Sequence, residues 1–329
     1  MSLKRNLYAG KRQSGGLRLD VFTDDELDQI HGATLEVLWK TGIFVEDEEA
    51  LEVFDAGGAT VDLKSKIVKI PPYVLEDAVS SAPEIVILAG RNSNNDMVLE
   101  RSRVGFTNFG EAIQVVDAHT GELREPTKAD VGDCALVIDY LEHVDVCERP
   151  MGAHDVPQAV AALHNVEAML SNTTKHCFLG PQNGHLAKKV GDMVAAVVGG
   201  RDKLRDRSVL TFLTCPVSPL KLVRDCCEII MEAARSGMGV GVLSQALAGG
   251  TSTVTLAGTL VTHNAEVLSG LVLSQLTRKG SPFIYCSSTC SLDLRYGTAV
   301  VGNPETGLLS AAIAQMARYY LLPSWVAGG

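Results

Sequence analysis

The residues that could do chemistry stand just past the chain's apolar runs. They are Phe109-Gly110-Glu111, Glu148-Arg149, Gly180-Pro181-Gln182, Thr214-Cys215-Pro216, Ser244-Gln245, Ser287-Ser288-Thr289 and Gly328-Gly329. Neutral hydroxyls and amides are prominent among them, with Phe106, Phe109, Tyr285 and Trp325 nearby in sequence. The set holds no carboxylate pair, no nucleophile beside a histidine, no phosphate-binding loop and no metal triad. A neutral, partly aromatic cavity suits a cationic small molecule, because aromatic faces attract alkylammonium groups by roughly 0.5 to 2 kcal/mol per good contact. By position at strand ends, Phe109, Gln245, Tyr285, Ser288, Thr289 and Trp325 form the expected substrate-binding set. Phe106, Phe109 and Tyr285 have a second reading as core filler. Glu111 and Glu148 could hold a cation or form salt bridges at the rim. His263 lies inside a long helical pattern, where a histidine is more often a hydrogen-bonded structural residue.

Eight cysteines in 329 residues form no disulfide framework. Cys286 and Cys290, with Cys177 after His176 and Cys215 at another strand end, could be imagined as a zinc site. No CxxC or HxxxH spacing supports that, and buried small hydrophobes are the expected identity. A net charge of −10 argues against nucleic acid or an anionic membrane surface as main partner. The first twenty residues lean basic (Lys4, Arg5, Lys11, Arg12, Arg18), but no apolar stretch follows them. Neither a signal peptide nor an apolar run that would cross a bilayer is read, and the protein is expected to be soluble and cytoplasmic.

The elements that must position these groups are readable. Thr23 with Glu26 makes a capping box opening a helix with Leu27, Ile30, Val37 and Leu38 on one face, ended by Gly42. A second short helix runs from about Asp47 to Phe54, Lys66 to Ile70 alternates like a strand, and Pro71-Pro72 opens a further helix. Glu84 to Leu88 returns to strand, and Ala112 to Asp117 with Gly121 to Glu125 reads as a hairpin. Strand-like runs then recur at Gly105 to Phe109, Val144 to Cys147, His176 to Leu179, Val209 to Leu213, Val240 to Leu243, Phe283 to Cys286 and Ser324 to Ala327. Most are separated by one helix. Ser218-Pro219 and Asn303-Pro304 each read as an N-cap with proline at the first helical position, and Lys279-Gly280 closes the long helix that begins near Leu256.

Repeated strand–helix units imply a parallel sheet covered on both faces. A doubly wound sheet and a (β/α)8 TIM barrel both qualify. Gly199-Gly200 and Gly249-Gly250 lack the GxGxxG spacing of a dinucleotide turn, so the α/β barrel is favoured. Seven strands are read where eight would close it. The expectation is a mixed α/β N-terminal extension over residues 1–103 and an incomplete TIM barrel over 104–329, whose open edge predicts self-association into a homo-oligomer.

The run from Leu256 to Gly270, containing Thr262-His263-Asn264-Ala265-Glu266, resembles the signature of the trimethylamine methyltransferase family. So do Gly302-Asn303-Pro304-Glu305 with Leu308 to Ala312, and the stretch from Leu322 to Gly329. Weaker matches are Leu19 to Thr23, Thr34 to Leu38 and Cys215 to Leu220. The resemblance implies a (β/α)8 barrel that moves a methyl group from a methylated amine to the Co(I) centre of a separate, cognate corrinoid protein. No cofactor would be bound directly; the cobalamin-type corrinoid would be carried by the partner. It also implies that the catalytic residue is pyrrolysine, encoded by an amber codon, just after the segment matched by Ser324 to Gly329. The chain would then be the amber-terminated portion of a longer protein. Relatives that demethylate quaternary amines such as glycine betaine place an ordinary residue there, and an inactive truncated product is the remaining alternative.

Overall fold

The computed structural model describes residues 11–12, 19–100 and 103–328. Lys4, Arg5, Arg18 and Gly329, singled out above, lie outside them. Contacts group the chain into two compact units, and a cut at residue 103 is not the division they follow. Of the described residues, one unit holds those between 86 and 213 and 236–238; the other holds 19–85, 214–235 and 239–328.

In the first unit, β1 (Val146–Glu148), β2 (His176–Leu179) and β3 (Leu210–Thr214) run parallel, with Val146 opposite His176 and Cys177 opposite Leu210. All three strands are buried along their length, as parallel strands covered on both faces must be. The helices α1 (Lys128–Tyr140), α2 (Ala161–Asn172) and α3 (Gly184–Val198) pack in succession. Thr127 and Asp130 close a capping box on α1. Lys175 reaches its other end, where Nζ donates to the carbonyls of Ile138 (2.7 Å), Leu141 (2.6 Å) and Val144 (2.6 Å) and satisfies groups a helix terminus leaves open. The buried Arg207 guanidinium grips Asp96 through both carboxylate oxygens, each at 2.5 Å. His176 donates from Nδ1 to the Ala89 carbonyl (3.0 Å), which leaves Nε2 to accept from Thr211 Oγ1 (2.9 Å).

The strand expected at Gly105 to Phe109 is reduced to one bridge, Thr107 to Val146. The reason is Asn108. Its side chain donates to the Glu148 carbonyl (2.9 Å) and accepts from the Glu148 N–H (2.9 Å), taking the place of backbone pairing.

In the second unit, β4 (Gly239–Ser244), β5 (Phe283–Ser287) and β6 (Ser324–Val326) run parallel. The helix α4 (Leu256–Thr277) packs on β4 and β5 and is surrounded by the helices Asp24–Glu36, Glu48–Ala56, Pro72–Ser81 and α5 (Pro304–Tyr319). Against the expectation from sequence, α4 is long and apolar enough to cross a membrane; here most of it is buried in this core. The Thr23–Glu26 capping box forms as expected, and the first helix runs on through a π turn (Val37–Thr41) to Gly42 at φ 81°. A Cβ at Gly42 would lie 2.6 Å from the Val68 carbonyl, so both conformation and space require glycine.

A four-stranded sheet in the order Lys221–Leu222, Ile43–Val45, Ile67–Lys69, Thr60–Asp62 completes this unit's N-terminal part. It explains a correction. Ser218-Pro219 does not cap a helix, because the chain first turns to lay Lys221–Leu222 parallel to Ile43–Val45, and the helix begins at Arg224. A further three-stranded sheet went unread in the sequence: Leu247–Ala248, Cys290–Asp293 and Thr298–Val300, just beyond the ends of β4 and β5.

Candidate active site

Register decides which way the strand-end groups of the second unit point. Ser244 stands opposite Ser287, Tyr285 opposite Ser324, and Cys286 opposite Trp325. Side chains alternate along each strand. One face carries Val242, Ser244, Tyr285 and Ser287, and α4 covers it: Val242 lies against Gly270, where an added Cβ would be 2.9 Å away. The opposite face carries Leu243, Cys286 and Trp325. The Ser288 N–H donates to the Ser244 carbonyl (2.9 Å), so the ladder extends one residue further. Alternation then sets Gln245 and Ser288 on the Trp325 face. Gln245 is exposed and Ser288 half-buried. Trp325 is half-buried, with its Nε1 atom buried and without a partner among the described residues.

Two members of the expected set are turned the other way. Tyr285 is fully buried and donates its hydroxyl proton to Asn264 Oδ1 (2.7 Å), which takes it out of the substrate-binding set and agrees with its other reading, core filler, here in the strand–helix layer. Thr289 is buried too; its backbone N–H donates to Ser287 Oγ (3.0 Å) and its hydroxyl lies 3.0 Å from His263 Nδ1. Phe109 belongs to the first unit, where its ring is exposed.

Of the polar residues of α4, His263 is the hydrogen-bonded structural histidine expected, while Asn264 and Glu266 were given no role in the sequence reading. Glu266 is buried, yet both its oxygens are occupied: Oε2 accepts from Ser218 Oγ (2.8 Å) and Ser244 Oγ (2.6 Å), Oε1 from the Leu220 N–H (2.9 Å). Burial raises its pKa and these three bonds oppose the rise. Asn264 is oriented by counting protons. Thr34 gives its only hydroxyl proton to the Ile30 carbonyl (2.8 Å), so Asn264 Nδ2 must donate to Thr34 (2.9 Å). The second Nδ2 proton goes to Tyr320 OH (2.8 Å), leaving Oδ1 for Tyr285. Tyr320 can then only donate to His31 Nδ1 (3.0 Å). His263 has its ring edge-on to Tyr285 and an Nε2 without a partner among the described residues, and burial holds its pKa down at about 3. It is neutral at physiological pH. The signal available in the sequence was three polar side chains, His263, Asn264 and Glu266, inside an otherwise apolar helix. Together they tie α4 to the ends of β4 and β5, to the 218–220 turn and to the helix bearing Thr34.

At the strand ends of the first unit, Arg149 pairs with Glu111 and donates to the Gly180 carbonyl (3.2 Å). Among the described residues Glu148 forms no ion pair; burial pushes its pKa up to about 8, against the pull of Arg149. No cysteine forms a disulfide, and among the described residues no cluster of His, Cys, Asp or Glu is placed to hold a metal.

The arrangement has relatives. The crystal structure of the Methanosarcina barkeri monomethylamine methyltransferase MtmB matches 92% of this chain and 67% of its own at a TM-score of 0.56 and 14% identity. Its hydroxylamine complex matches equally well. At that identity the likeness speaks for the fold, an α/β fold of TIM-barrel type. In sequence, a trimethylamine methyltransferase MttB from Desulfitobacterium hafniense is 50% identical over 327 residues, 99% of this chain and 66% of the relative. One from Methanosarcina thermophila is 42% identical over 330 residues, 99% and 68%. A glycine betaine methyltransferase of Desulfitobacterium hafniense is 32% identical over 314 residues, 95% and 65%. The chain thus spans about two thirds of the length of these curated relatives. The model of the trimethylamine methyltransferase (MTTB) family matches residues 9–329, and the chain belongs to that family.

Proposed function

We propose that this chain takes part in moving a methyl group from trimethylamine to a corrinoid carried by a separate, cognate protein, and that it does so in the cytoplasm. The observation that carries the reading is 50% identity to a trimethylamine methyltransferase along 99% of the chain, against 32% to a glycine betaine enzyme. The strand-end geometry supports it. The face of β4–β6 that bears Trp325, Ser288 and Gln245 is neutral. Glu266, the buried carboxylate nearest in sequence, is turned to the other face and fully engaged. Such a face can hold an amine without taking a proton from it. A corrinoid supplies a strongly nucleophilic Co(I), so the acceptor needs no base from this chain. What remains for the protein is to bind the amine, fix its direction and remove the translational freedom of the encounter. Trp325 offers an aromatic face to the methyl groups, with Ser288 and Gln245 as polar neighbours that set orientation.

Amine selection tests the reading. With a Co(I)-loaded corrinoid protein as acceptor, the protein should release one dimethylamine per trimethylamine and leave glycine betaine untouched. Preferential demethylation of glycine betaine would move the chain to the quaternary-amine branch; no demethylation of either would overturn the reading.

A further inference from the structure

Three buried side-chain polar atoms on or beside β1 lack a hydrogen-bond partner among the described residues: Thr107 Oγ1, Glu148 Oε2 and Arg149 Nε. Thr107 is bridged to Val146, two residues before Glu148. Glu148 itself is only 7% exposed. A buried carboxyl with an idle oxygen is unusual, since such groups ordinarily find partners. The adjacent cation does not supply one: Arg149 is turned toward Glu111 and the Gly180 carbonyl.

The local chain holds the Glu148 side chain in place. Asn108 clamps its backbone on both sides. Gly110 gives it room, for a Cβ there would lie 3.1 Å from Glu148 Oε1 and 2.6 Å from the Arg149 carbonyl. The bridges Thr107–Val146 and Ala112–Met151 share one offset, which brings Phe109 level with Glu148 along the chain, and Phe109 is 61% exposed. A carboxylate for the charge beside an aromatic face for the methyl groups is the combination that recognises alkylammonium ions.

We propose that Glu148, with Phe109 beside it, forms a cation-receiving subsite for a methylated ammonium group at the end of β1. This goes beyond the functional reading above, which concerns the Trp325 face of the second unit, and rests on it for the substrate class. The charged groups facing Glu148 are Arg149, which favours its ionised form, and Glu111, which disfavours it, while burial keeps it protonated near neutrality. An arriving cation shifts that balance, so binding expels the proton to buffer.

Titration of the whole protein with tetramethylammonium, a permanent cation, tests this by calorimetry in two buffers of different ionisation enthalpy at pH 7. The expected result is saturable binding with release of most of one proton. Affinity should fall at least tenfold in Glu148→Gln, which keeps the shape, and several-fold in Phe109→Ala. Proton release in the parent protein stands as a test even where a variant misfolds. Binding without proton release, Glu148→Gln binding within twofold of the parent, or no binding at all would overturn the subsite. Failure here is separable from failure of the functional reading, because methyl transfer from trimethylamine by a Glu148→Gln protein would leave that reading intact.

Discussion

Replacing Tyr285 by phenylalanine separates a substrate-binding tyrosine from a structural one. The hydroxyl is buried and donates to Asn264 Oδ1 at 2.7 Å, so its removal leaves that oxygen without its donor. A buried acceptor left unpaired costs about 1–3 kcal/mol. Asn264→Leu is the harsher change. It leaves the Tyr285 hydroxyl as a buried donor with no acceptor and strips Thr34 and Tyr320 of the bonds they accept from Nδ2. Thr34 and Tyr320 keep the bonds they donate, to the Ile30 carbonyl and to His31, so the expected cost is about 3–4 kcal/mol rather than the sum of three orphaned groups. The double variant Asn264→Leu/Tyr285→Phe removes the stranded donor and should recover about 1–2 kcal/mol of that loss. Urea unfolding of the four proteins reads the cycle directly. Amine concentration for half-maximal rate should be unchanged in Tyr285→Phe. A large rise in that concentration, or a double variant no more stable than Asn264→Leu alone, would refute the network.

Other consequences are equally specific. His176 and His263 titrate at about 4 and about 3 in the folded protein against an ordinary value of 6.5. Depressed values mean stability that is full above pH 6.5 and lost as the pH falls, by about 2 kcal/mol per histidine at pH 5, so melting curves should drop between pH 6.5 and 5 and flatten in His263→Gln. Glu266→Leu leaves three donors (Ser218 Oγ, Ser244 Oγ, Leu220 N–H) without their acceptor and should cost about 3 kcal/mol or more in denaturant unfolding. Gly110→Ala puts a Cβ 2.6 Å from a backbone carbonyl and should destabilise by about 1–3 kcal/mol, visible as a lowered melting temperature. Gln245→Ala, an exposed strand-end change, should leave melting unaltered and raise the amine concentration for half-maximal rate.

What was legible in the sequence was local. Thr23 with Glu26, Asn303 before Pro304 and Gly42 each mark a helix boundary through bonds made within a few residues, and each boundary is found close to where it was read. The strand-end rhythm was legible because buried parallel strands are continuous apolar runs. That same continuity hid Tyr285. Phe283-Ile284-Tyr285-Cys286 carries no polar alternation, so nothing in it tells which residue faces α4. Non-local bonds hid the rest. Asn108 displaces a strand by bonding a residue forty positions away, Ser218 turns to Glu266 rather than capping a helix, and the helices between residues 24 and 81 pack around α4 from the other end of the sequence. Glu148 was visible as a rim carboxylate, but only burial and the Arg149–Glu111 pairing distinguish it from its neighbour.

The most direct test of the central claim measures dimethylamine after the protein is mixed with trimethylamine and a Co(I)-loaded corrinoid protein. The account predicts release that requires both and stops when either is withheld. Trimethylamine consumed in the absence of the corrinoid protein, or no dimethylamine in the presence of both, would contradict it.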